Sequence, residues 1–186
     1  LNMKIILASQ SPRRKEILEE IGYQFEVIPS YTQEYFDPAL PLEKAIQQVA
    51  YQKAADVHAK YPDDLVIGAD TIVSFQNKIY GKPKDEQEAF SFLRDFSGKY
   101  QEVMTGICFL YKERQLCHTD ITKVWFRDLS DEEIWDYIHT HNALDKAGAY
   151  GIQDSDFISH IEGSMTNVVG LGKESIVEMM KKISDW

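Results

Sequence analysis

The residues best suited to chemistry lie near the start of the chain, where a polar turn carries two adjacent arginines. The turn Ser9-Gln10-Ser11-Pro12-Arg13-Arg14 follows an apolar run and precedes a helical pattern. Ser11 can cap the first turn of that helix, and Pro12 suits its first position. Free backbone N–H groups, the positive end of the helix dipole and two guanidinium groups would then meet at one place. This arrangement predicts a phosphate site; the alternative is that Arg13 and Arg14 are solvated charges at an ordinary helix start.

Asp70 is the second candidate, because it ends the apolar strand pattern 65–69. The ends of strands in open α/β sheets commonly hold ligand-binding groups, and a carboxylate there can bind magnesium or orient a water molecule. The alternative is that Asp70 caps a turn through its own side chain. Lys82, in the segment Gly81-Lys82-Pro83, follows a predicted hairpin that would return it toward the end of the strand. A lysine beside an aspartate, near an arginine pair, suits a metal-bound polyphosphate.

Three further polar residues could serve the same site. Lys53 lies on a largely apolar helical face, where a lysine commonly extends its amine to solvent; it would add positive charge if it pointed into a cleft. Glu34 lies in a polar loop and has no meaning of its own at the level of sequence. Gln153 offers one donor and one acceptor on a single amide, a pair that can read the edge of a pyrimidine ring, although most glutamines do nothing of the kind.

The sequence does not support several other kinds of site. The histidines share no spacing with cysteine or acidic residues, and neither a P-loop pattern nor a G-x-G-x-x-G pattern occurs. Cys108 and Cys117 form no C-x-x-C pair and have no histidine at zinc spacing. We therefore expect no structural zinc site and two reduced thiols, as is typical of a cytosolic protein.

Composition and charge limit the class of protein and of ligand. The 186 residues are 44% hydrophobic and 27% charged, which is typical of a globular protein with one domain or two closely joined lobes. The net charge of −10 argues against a nucleic-acid polymer as partner, whereas a local basic pocket could still take a small phosphorylated ligand with a divalent cation. No apolar run approaches the roughly 20 residues that cross a bilayer, and no secretory signal pattern is present. We expect a cytoplasmic protein without a membrane partner, in which Leu1 and Asn2 are an expression remnant before Met3.

Alternating strands and helices must position these residues. Capping-box signatures at Asp85 and Ser130 mark two helix starts, and the polar segment 30–40 is typical of a loop. Strands and helices alternate early and strands cluster in the middle, which predicts an α/β fold with a mixed, twisted sheet. The patterns predict helices over 15–21, 41–60, 85–96, 130–139 and 173–183, and strands over 4–8, 24–28, 65–69, 72–75, 78–80, 102–111, 116–126 and 157–161.

Taken together, the quoted residues resemble the Maf family of nucleoside triphosphate pyrophosphatases. The resemblance runs from Ile5 to the C-terminal helix, and the order and spacing of its motifs make the set specific. The motifs are Ala8-Ser9-Gln10-Ser11-Pro12-Arg13-Arg14, Gly68-Ala69-Asp70-Thr71, Gly81-Lys82-Pro83, Asp145-Lys146-Ala147-Gly148-Ala149-Tyr150-Gly151-Ile152-Gln153 and Asn167-Val168-Val169-Gly170-Leu171.

The resemblance implies a single domain over residues 3–186, folded like inosine triphosphate pyrophosphatase, with helices flanking the sheet and two lobes around a central cleft. It implies hydrolysis of a nucleoside triphosphate between its α and β phosphates with a divalent cation, Mg²⁺ or Mn²⁺. By similarity, Asp70 is the catalytic base or a metal-orienting carboxylate, and Glu34 assists the metal. The residues implied to bind the triphosphate or line its cleft are Ser9, Arg13, Arg14, Glu34, Lys53 and Lys82.

The resemblance also implies a substrate. The branch with Arg13, Thr71 and Gln153 at the matching positions is associated with dTTP and UTP, so we expect pyrimidine triphosphates, modified uridine forms included, and removal of unwanted nucleotides. Two positions depart from the family: Gly172 replaces a proline, which would loosen the start of the last helix, and Asp154 replaces a glycine, which adds negative charge near the base pocket.

Two other activities stay open at this level, together with a homodimeric assembly. One is a nucleotide-binding regulator of cell division and septum formation, which would bind the same ligand without turnover. The other is cleavage at the γ phosphate, which would release orthophosphate and leave a diphosphate.

Overall fold

The structure is a computed structural model that describes residues 3–186, so Leu1 and Asn2, interpreted above as a remnant, lie outside the described residues. The described chain alternates strands and helices before a run of long strands, as the sequence patterns predict. The strands are β1 (Ile5–Leu7), β2 (Glu26–Val27), β3 (Leu65–Phe75), β4 (Lys78–Tyr80), β5 (Tyr100–Tyr111), β6 (Arg114–Phe126) and β7 (Ile158–Glu162). The helices are α1 (Pro12–Ile21), α2 (Leu42–His58), α3 (Glu86–Phe96), α4 (Asp131–Thr140), α5 (Met165–Val169) and α6 (Lys173–Lys182).

The strands form a mixed sheet in the order β2-β1-β3-β5-β6-β7, with β4 paired to β3. β1 pairs in parallel with both β2 and β3, whereas the β3–β4 and β6–β7 pairs are antiparallel. Parallel neighbours need a crossover connection, which α1 and α2 supply. The predicted α/β class with a mixed sheet is confirmed.

The local signals for helix starts and tight turns are confirmed as well. Ser11 caps α1 with Pro12 in its first turn, and Ser130 forms a capping box with Glu133 at the start of α4. Gln76 and Asn77 have φ values of 50° and 64°, the left-handed conformation that a two-residue hairpin turn requires. These elements follow from interactions between residues close in sequence, which is why the sequence predicts them.

The sequence patterns missed α5 and two single 3₁₀ turns at Ala143–Asp145 and Ala147–Ala149. Each is too short to show a hydrophobic period. The second turn passes through Gly148 at φ 70°, a left-handed conformation that glycine adopts without strain.

Two compact units divide the chain, and β3, β5 and β6 each contribute residues to both. The first unit comprises the residues up to Thr71 together with Thr105–Asp120 and Ser164–Trp186. Side chains alternate along its strands and form two apolar layers. Ile5, Leu7 and Ile67 face helices α1 and α6, whereas Ile6 and Val66 face α2.

The second unit comprises Ile72–Met104 and Ile121–Gly163 and has an aromatic core. Phe96 lies at its centre and makes edge-type or tilted contacts with the rings of Phe75, Tyr80 and Phe126. The hydroxyl of buried Tyr150 donates to the side-chain amide oxygen of Gln101 at 2.7 Å, so its polar end is satisfied inside this core.

Helix α2 packs against the sheet at two glycines. A Cβ atom added at Gly68 would lie 2.4 Å from the backbone oxygen of Ala50, and one added at Gly106 would lie 2.4 Å from that of Ile46. No side chain fits in either space, so glycine at these positions allows the helix backbone to lie directly on strands β3 and β5.

Asp120 occupies the space beside Gly172, where the family resemblance leads us to expect a proline. A Cβ atom at Gly172 would lie 2.3 Å from the Oδ2 atom of Asp120, whose Oδ1 accepts a hydrogen bond from the Ser175 hydroxyl. The Thr166 hydroxyl also accepts from the Lys173 backbone N–H at 2.9 Å. Polar groups from outside α6 therefore hold its first turn, and the negative carboxylate lies at the favourable end of the helix dipole.

The expectation of two reduced thiols is wrong in this structure. Cys108 on β5 and Cys117 on β6 form a disulfide, and their Cα atoms are 4.2 Å apart. The two strands are neighbours joined by a short turn, so residues at these positions face each other across the ladder. Sequence spacing did not show this pairing because it depends on strand register.

Within residues 3–186, no helix combines the length and apolar character needed to cross a membrane.

We expect Gly68→Ala to lower the free energy of unfolding by about 2 kcal/mol or more, because the new methyl group must push α2 away from the sheet. Gly81→Ala is the matched control, since a Cβ atom there would have no heavy atom within 4 Å. Urea unfolding of both variants measures the difference. Equal stability of the two variants would show that the packing of α2 does not depend on the absence of a side chain at Gly68.

Candidate active site

The turn that precedes α1 is held in shape by its own hydroxyl groups. The Ser9 hydroxyl oxygen accepts a hydrogen bond from the Ser11 backbone N–H at 3.1 Å, and the Ser11 hydroxyl oxygen accepts from the Arg14 backbone N–H at 3.2 Å. Ser9 is buried, and both serines line a cavity. The positive end of α1 is therefore fixed at the wall of that cavity, where it favours an anion.

Arg14 is anchored on two sides. Its Nε donates to the carbonyl oxygen of Gly170 at 2.8 Å, and its Nη2 donates to the hydroxyl of Thr71 at 2.8 Å. Burial lowers the pKa of Arg14 from its ordinary value, and the positive charge of Arg13 adds to this, whereas the negative charges of Asp70 and Glu34 oppose it. A guanidinium group keeps its charge under such a shift, because its ordinary pKa lies far above neutral.

Lys53 on α2 joins two carboxylates. Its Nζ lies 2.7 Å from Oδ1 of Asp70 and 3.0 Å from Oε1 of Glu34. The side chains of Asp70 and Lys53 are 9% and 18% exposed, whereas that of Glu34 is 47% exposed. The lysine therefore does not extend to solvent, and removal of any one of these charges would leave a partner poorly compensated.

The two carboxylates titrate in opposite directions. Burial raises the pKa of Asp70 above its ordinary value, the charge of Glu34 raises it further, and Lys53 and Arg14 oppose the change. Burial also acts to raise the pKa of Glu34, but the hydrogen bond and charge of Lys53, with smaller contributions from Asp70 and Arg14, hold it below its ordinary value. A raised pKa makes Asp70 the stronger base of the two once it is ionised.

The cavity has a volume of about 410 Å³ and lies within the first unit. Its wall is mostly polar, and it carries one guanidinium, one ammonium and one carboxylate group. Asp70 is not among the lining residues, but it contacts Lys53, which is. The lining residues are Ala8, Ser9, Gln10, Ser11, Arg14, Ser30, Tyr31, Thr32, Glu34, Lys53 and Ala69.

The alternation of side chains along β3 explains how two neighbouring residues serve different partners. Asp70 and Thr71 are consecutive in the strand, so their side chains point to opposite faces of the sheet. Asp70 meets Lys53 on α2, and Thr71 meets Arg14 on α1. The middle of a single strand therefore connects helices that lie on opposite faces. The predicted strands over 65–69 and 72–75 are one continuous strand, so the expectation that Asp70 ends a strand is wrong.

The first unit brings together most of the predicted site residues: Ser9, Arg14, Glu34, Lys53, Asp70 and Thr71. Arg13 is exposed and is not among the residues that line the cavity. Lys82 and Gln153 belong to the second unit, and both are exposed. The roles predicted for these three residues stay predictions.

The negative charge of Asp154 is paired inside the second unit. Its carboxylate forms an ion pair with Lys146 and accepts a hydrogen bond from the Tyr137 hydroxyl at 2.7 Å. The Tyr137 oxygen in turn accepts from the Gly151 backbone N–H at 3.0 Å. The two contacts hold the segment that carries Gln153.

Sequence reasoning missed two residues that support Arg14. Gly170 was quoted only as part of a motif, yet its carbonyl oxygen is a direct partner of the guanidinium group. Thr105 is a β-branched residue in a buried strand, and its hydroxyl lies 2.8 Å from that of Thr71. Neither role could be predicted from the sequence. Every residue has a backbone carbonyl, so the residue type does not show which one is a partner, and threonine is common in strands.

The described residues hold no ready-made metal centre, since none of their side chains form a group of three or more His, Cys, Asp or Glu that could bind an ion. One observation nevertheless fits a cation: Oδ2 of Asp70 is buried without a hydrogen-bond partner. Magnesium is commonly held by one or two carboxylates, with phosphate oxygens and water completing its shell. Asp70 and Glu34 fit such an ion when a phosphorylated ligand supplies further oxygens.

Comparison with known proteins finds one family and relatives that share one name. The family model described as Maf-like protein matches residues 4–183. A dTTP/UTP pyrophosphatase of Geobacillus sp. (strain WCH70) is 45% identical over 182 residues, covering 97% of this chain and 98% of that protein. A dTTP/UTP pyrophosphatase of Alkaliphilus oremlandii (strain OhILAs) is 47% identical over 173 residues, covering 90% of each.

Among solved structures, the Staphylococcus aureus Ham1 protein aligns with a TM-score of 0.54 at 12% sequence identity and covers 98% of both chains. This likeness concerns the fold alone.

The raised pKa of Asp70 predicts a pH-dependent stability difference between the wild-type protein and Asp70→Asn. The folded state holds the Asp70 proton more tightly than the unfolded state, so ionisation of Asp70 costs folding free energy as pH rises through its pKa. Asparagine does not titrate. The unfolding free energy of the wild type minus that of the variant, measured by urea unfolding, should therefore fall as pH rises above the ordinary pKa of an aspartate. A difference that rises with pH would contradict this sign.

Proposed function

The chain belongs to the Maf family, and from this premise we propose that it hydrolyses dTTP and UTP between the α and β phosphates to the nucleoside monophosphate and pyrophosphate. What carries the proposal is the contact of Lys53 with both Asp70 and Glu34 at the cavity that Arg14 lines. This cluster provides the positive charges of Arg14 and Lys53, which can bind a triphosphate. It also provides the buried carboxylate of Asp70, which can act as a base. The relatives named dTTP/UTP pyrophosphatase support the choice of pyrimidine triphosphates.

The triphosphate would bind at the polar wall of the cavity. Arg14 keeps N–H groups that its two anchoring bonds do not use, and Lys53 carries an ammonium group at the same wall. The backbone N–H groups at the start of α1 add donors of fixed direction. Phosphoryl transfer depends mainly on positioning and on charge neutralisation, and these groups supply both.

Asp70 would act as the base that accepts a proton from the attacking water. Its Oδ2 atom has no hydrogen-bond partner, so the carboxylate has a free acceptor, while the bond from Lys53 to Oδ1 fixes its orientation. When bound, a divalent cation, Mg²⁺ or Mn²⁺, would neutralise charge on the phosphate oxygens, with Asp70 and Glu34 as its protein ligands. Because its pKa is lowered, Glu34 is ionised over a wider pH range than Asp70, which suits a ligand of a cation.

Other expectations from the sequence are proposals as well. Arg13 and Lys82 would add positive charge for the triphosphate, and Thr71 and Gln153 would act in substrate choice. A single domain over residues 3–186, a central cleft between two lobes, a cytoplasmic location, a homodimer and action on modified uridine nucleotides also stay predictions. The relatives' names do not favour the alternative of a regulator of cell division that binds nucleotide without turnover.

Product identification tests the proposal directly. Purified protein with dTTP or UTP and magnesium should release pyrophosphate and the monophosphate over multiple turnovers. Orthophosphate and a diphosphate as products would show cleavage at the γ phosphate, and tight binding without product would support the regulator. A panel that includes purine and modified pyrimidine triphosphates measures selectivity in the same assay.

Asp70→Asn should lower kcat by at least ~100-fold, because the amide cannot accept the proton of the water. Nucleotide binding should persist, since Arg14 and Lys53 remain. Steady-state kinetics and calorimetric titration with dTTP measure the two effects. Asp63→Asn, at an exposed aspartate, is the control that should keep wild-type rates. Near-normal turnover of Asp70→Asn would remove Asp70 from the mechanism.

Gln153→Ala should change the ratio of kcat/KM values between dTTP and dGTP, because the amide is the group proposed to read the pyrimidine edge. Gln87→Ala removes another exposed glutamine of the same unit and should leave the ratio unchanged. An unaltered ratio in Gln153→Ala would assign base recognition to other groups.

A further inference from the structure

The guanidinium group of Arg14 depends on a chain of hydrogen bonds that continues beyond its direct partners. Its Nη2 donates to the hydroxyl oxygen of Thr71 at 2.8 Å, and that oxygen lies 2.8 Å from the hydroxyl of Thr105. Thr105 lies on β5, is fully buried, and has its hydroxyl 3.4 Å from the carbonyl oxygen of Asn167. The chain therefore runs from the cavity wall into the interior of the first unit.

Thr105 supplies an acceptor for the hydroxyl proton of Thr71. The Thr71 oxygen accepts the N–H of Arg14, so the one hydroxyl proton of Thr71 is free for another acceptor. Two acceptors are near it: the Thr105 hydroxyl at 2.8 Å, and the carbonyl of Gly170 at 3.5 Å, which already accepts from Arg14 Nε. Donation to Thr105, with Thr105 donating to Asn167, gives every proton its own acceptor.

In either direction of the shared bond, Thr105 fixes the rotation of the Thr71 hydroxyl. A hydroxyl held this way presents its lone pair to Arg14 in one orientation. Arginine side chains have many rotamers, and a guanidinium group binds phosphate strongly only when its plane is correctly set. Since Nε and Nη2 both donate hydrogen bonds, the N–H groups that remain are held in one orientation at the cavity wall.

We propose that Thr105 is a positioning residue for phosphate binding: through Thr71 it holds the Arg14 guanidinium in the orientation that binds the triphosphate. The inference rests on the proposed function and adds a residue 34 positions from Thr71 that contacts no substrate itself. It also gives Thr71 a physical task, since its hydroxyl connects the phosphate-binding arginine to the sheet.

The test compares Thr105→Val with Thr105→Ser in the full chain. Valine keeps the shape of threonine but removes the hydroxyl, whereas serine keeps the hydroxyl and loses a methyl group. We expect Thr105→Val to lower kcat/KM for dTTP by about tenfold, the upper end for losing one hydrogen bond between neutral groups. Thr105→Ser should recover most of that loss.

Inhibition by inorganic tripolyphosphate isolates the phosphate contact, because this ligand has neither base nor sugar. Its inhibition constant should rise about tenfold in Thr105→Val and stay near the wild-type value in Thr105→Ser. Thr119→Val is the matched control, since the Thr119 hydroxyl donates to a backbone carbonyl, that of Glu43, at 2.7 Å. This control should leave both kinetic constants unchanged.

A spectroscopic measurement reads the orientation of Arg14 without catalysis. In protein labelled with ¹⁵N-arginine, the Nη groups of a tied guanidinium rotate slowly and give resolved signals, and Arg14→Lys identifies those of Arg14. Thr105→Val should broaden or merge them, and Thr105→Ser should preserve them. If Thr105→Val does not fold, Thr105→Ala replaces it in all three measurements.

Two results would overturn the inference: wild-type tripolyphosphate inhibition in the variants without the hydroxyl, or equal impairment of Thr105→Ser and Thr105→Val, which would mean packing alone. If the wild-type protein released no pyrophosphate, the proposed function would fail instead. Calorimetric titration with tripolyphosphate and the Arg14 signals would then still decide whether Thr105 positions the guanidinium group.

Discussion

The direct contact between the backbone of α2 and strands β3 and β5 is the constraint on which the rest of the site depends. Gly68 and Gly106 leave no room for a side chain between helix and sheet. Gly68 and Asp70 are two residues apart on one strand, so they share the face that α2 covers. The same close packing therefore sets the 2.7 Å contact between Lys53 and Asp70.

The charges follow from that packing. Asp70 is buried, which disfavours its ionised form, and Lys53 offsets part of the cost while also holding the more exposed Glu34. Across the sheet, Arg14 is tied by Thr71 and Gly170, so its charge faces the same cavity from another direction. Positively and negatively charged side chains are thus held in place by the packing of α2 on the sheet and by hydrogen bonds. A site for a charged ligand requires such fixed groups.

Much of the fold could be predicted because it follows from local rules. Serine caps, the proline at the start of α1 and the Gln76-Asn77 turn each depend on neighbours a few residues away. Helix α5 and the Cys108–Cys117 disulfide could not be predicted, since the first is shorter than any hydrophobic period and the second depends on the register of β5 against β6.

By itself, the sequence determined the α/β class and the family, because motif residues and their order are properties of the chain. Only the tertiary structure decided which atoms meet. Lys53 is ion-paired rather than solvated because two glycines let α2 approach, and Thr105 reaches Arg14 through Thr71 because β5 lies beside β3. Contacts between residues far apart in sequence depend on packing and register, and neither is recorded in the spacing of residue types.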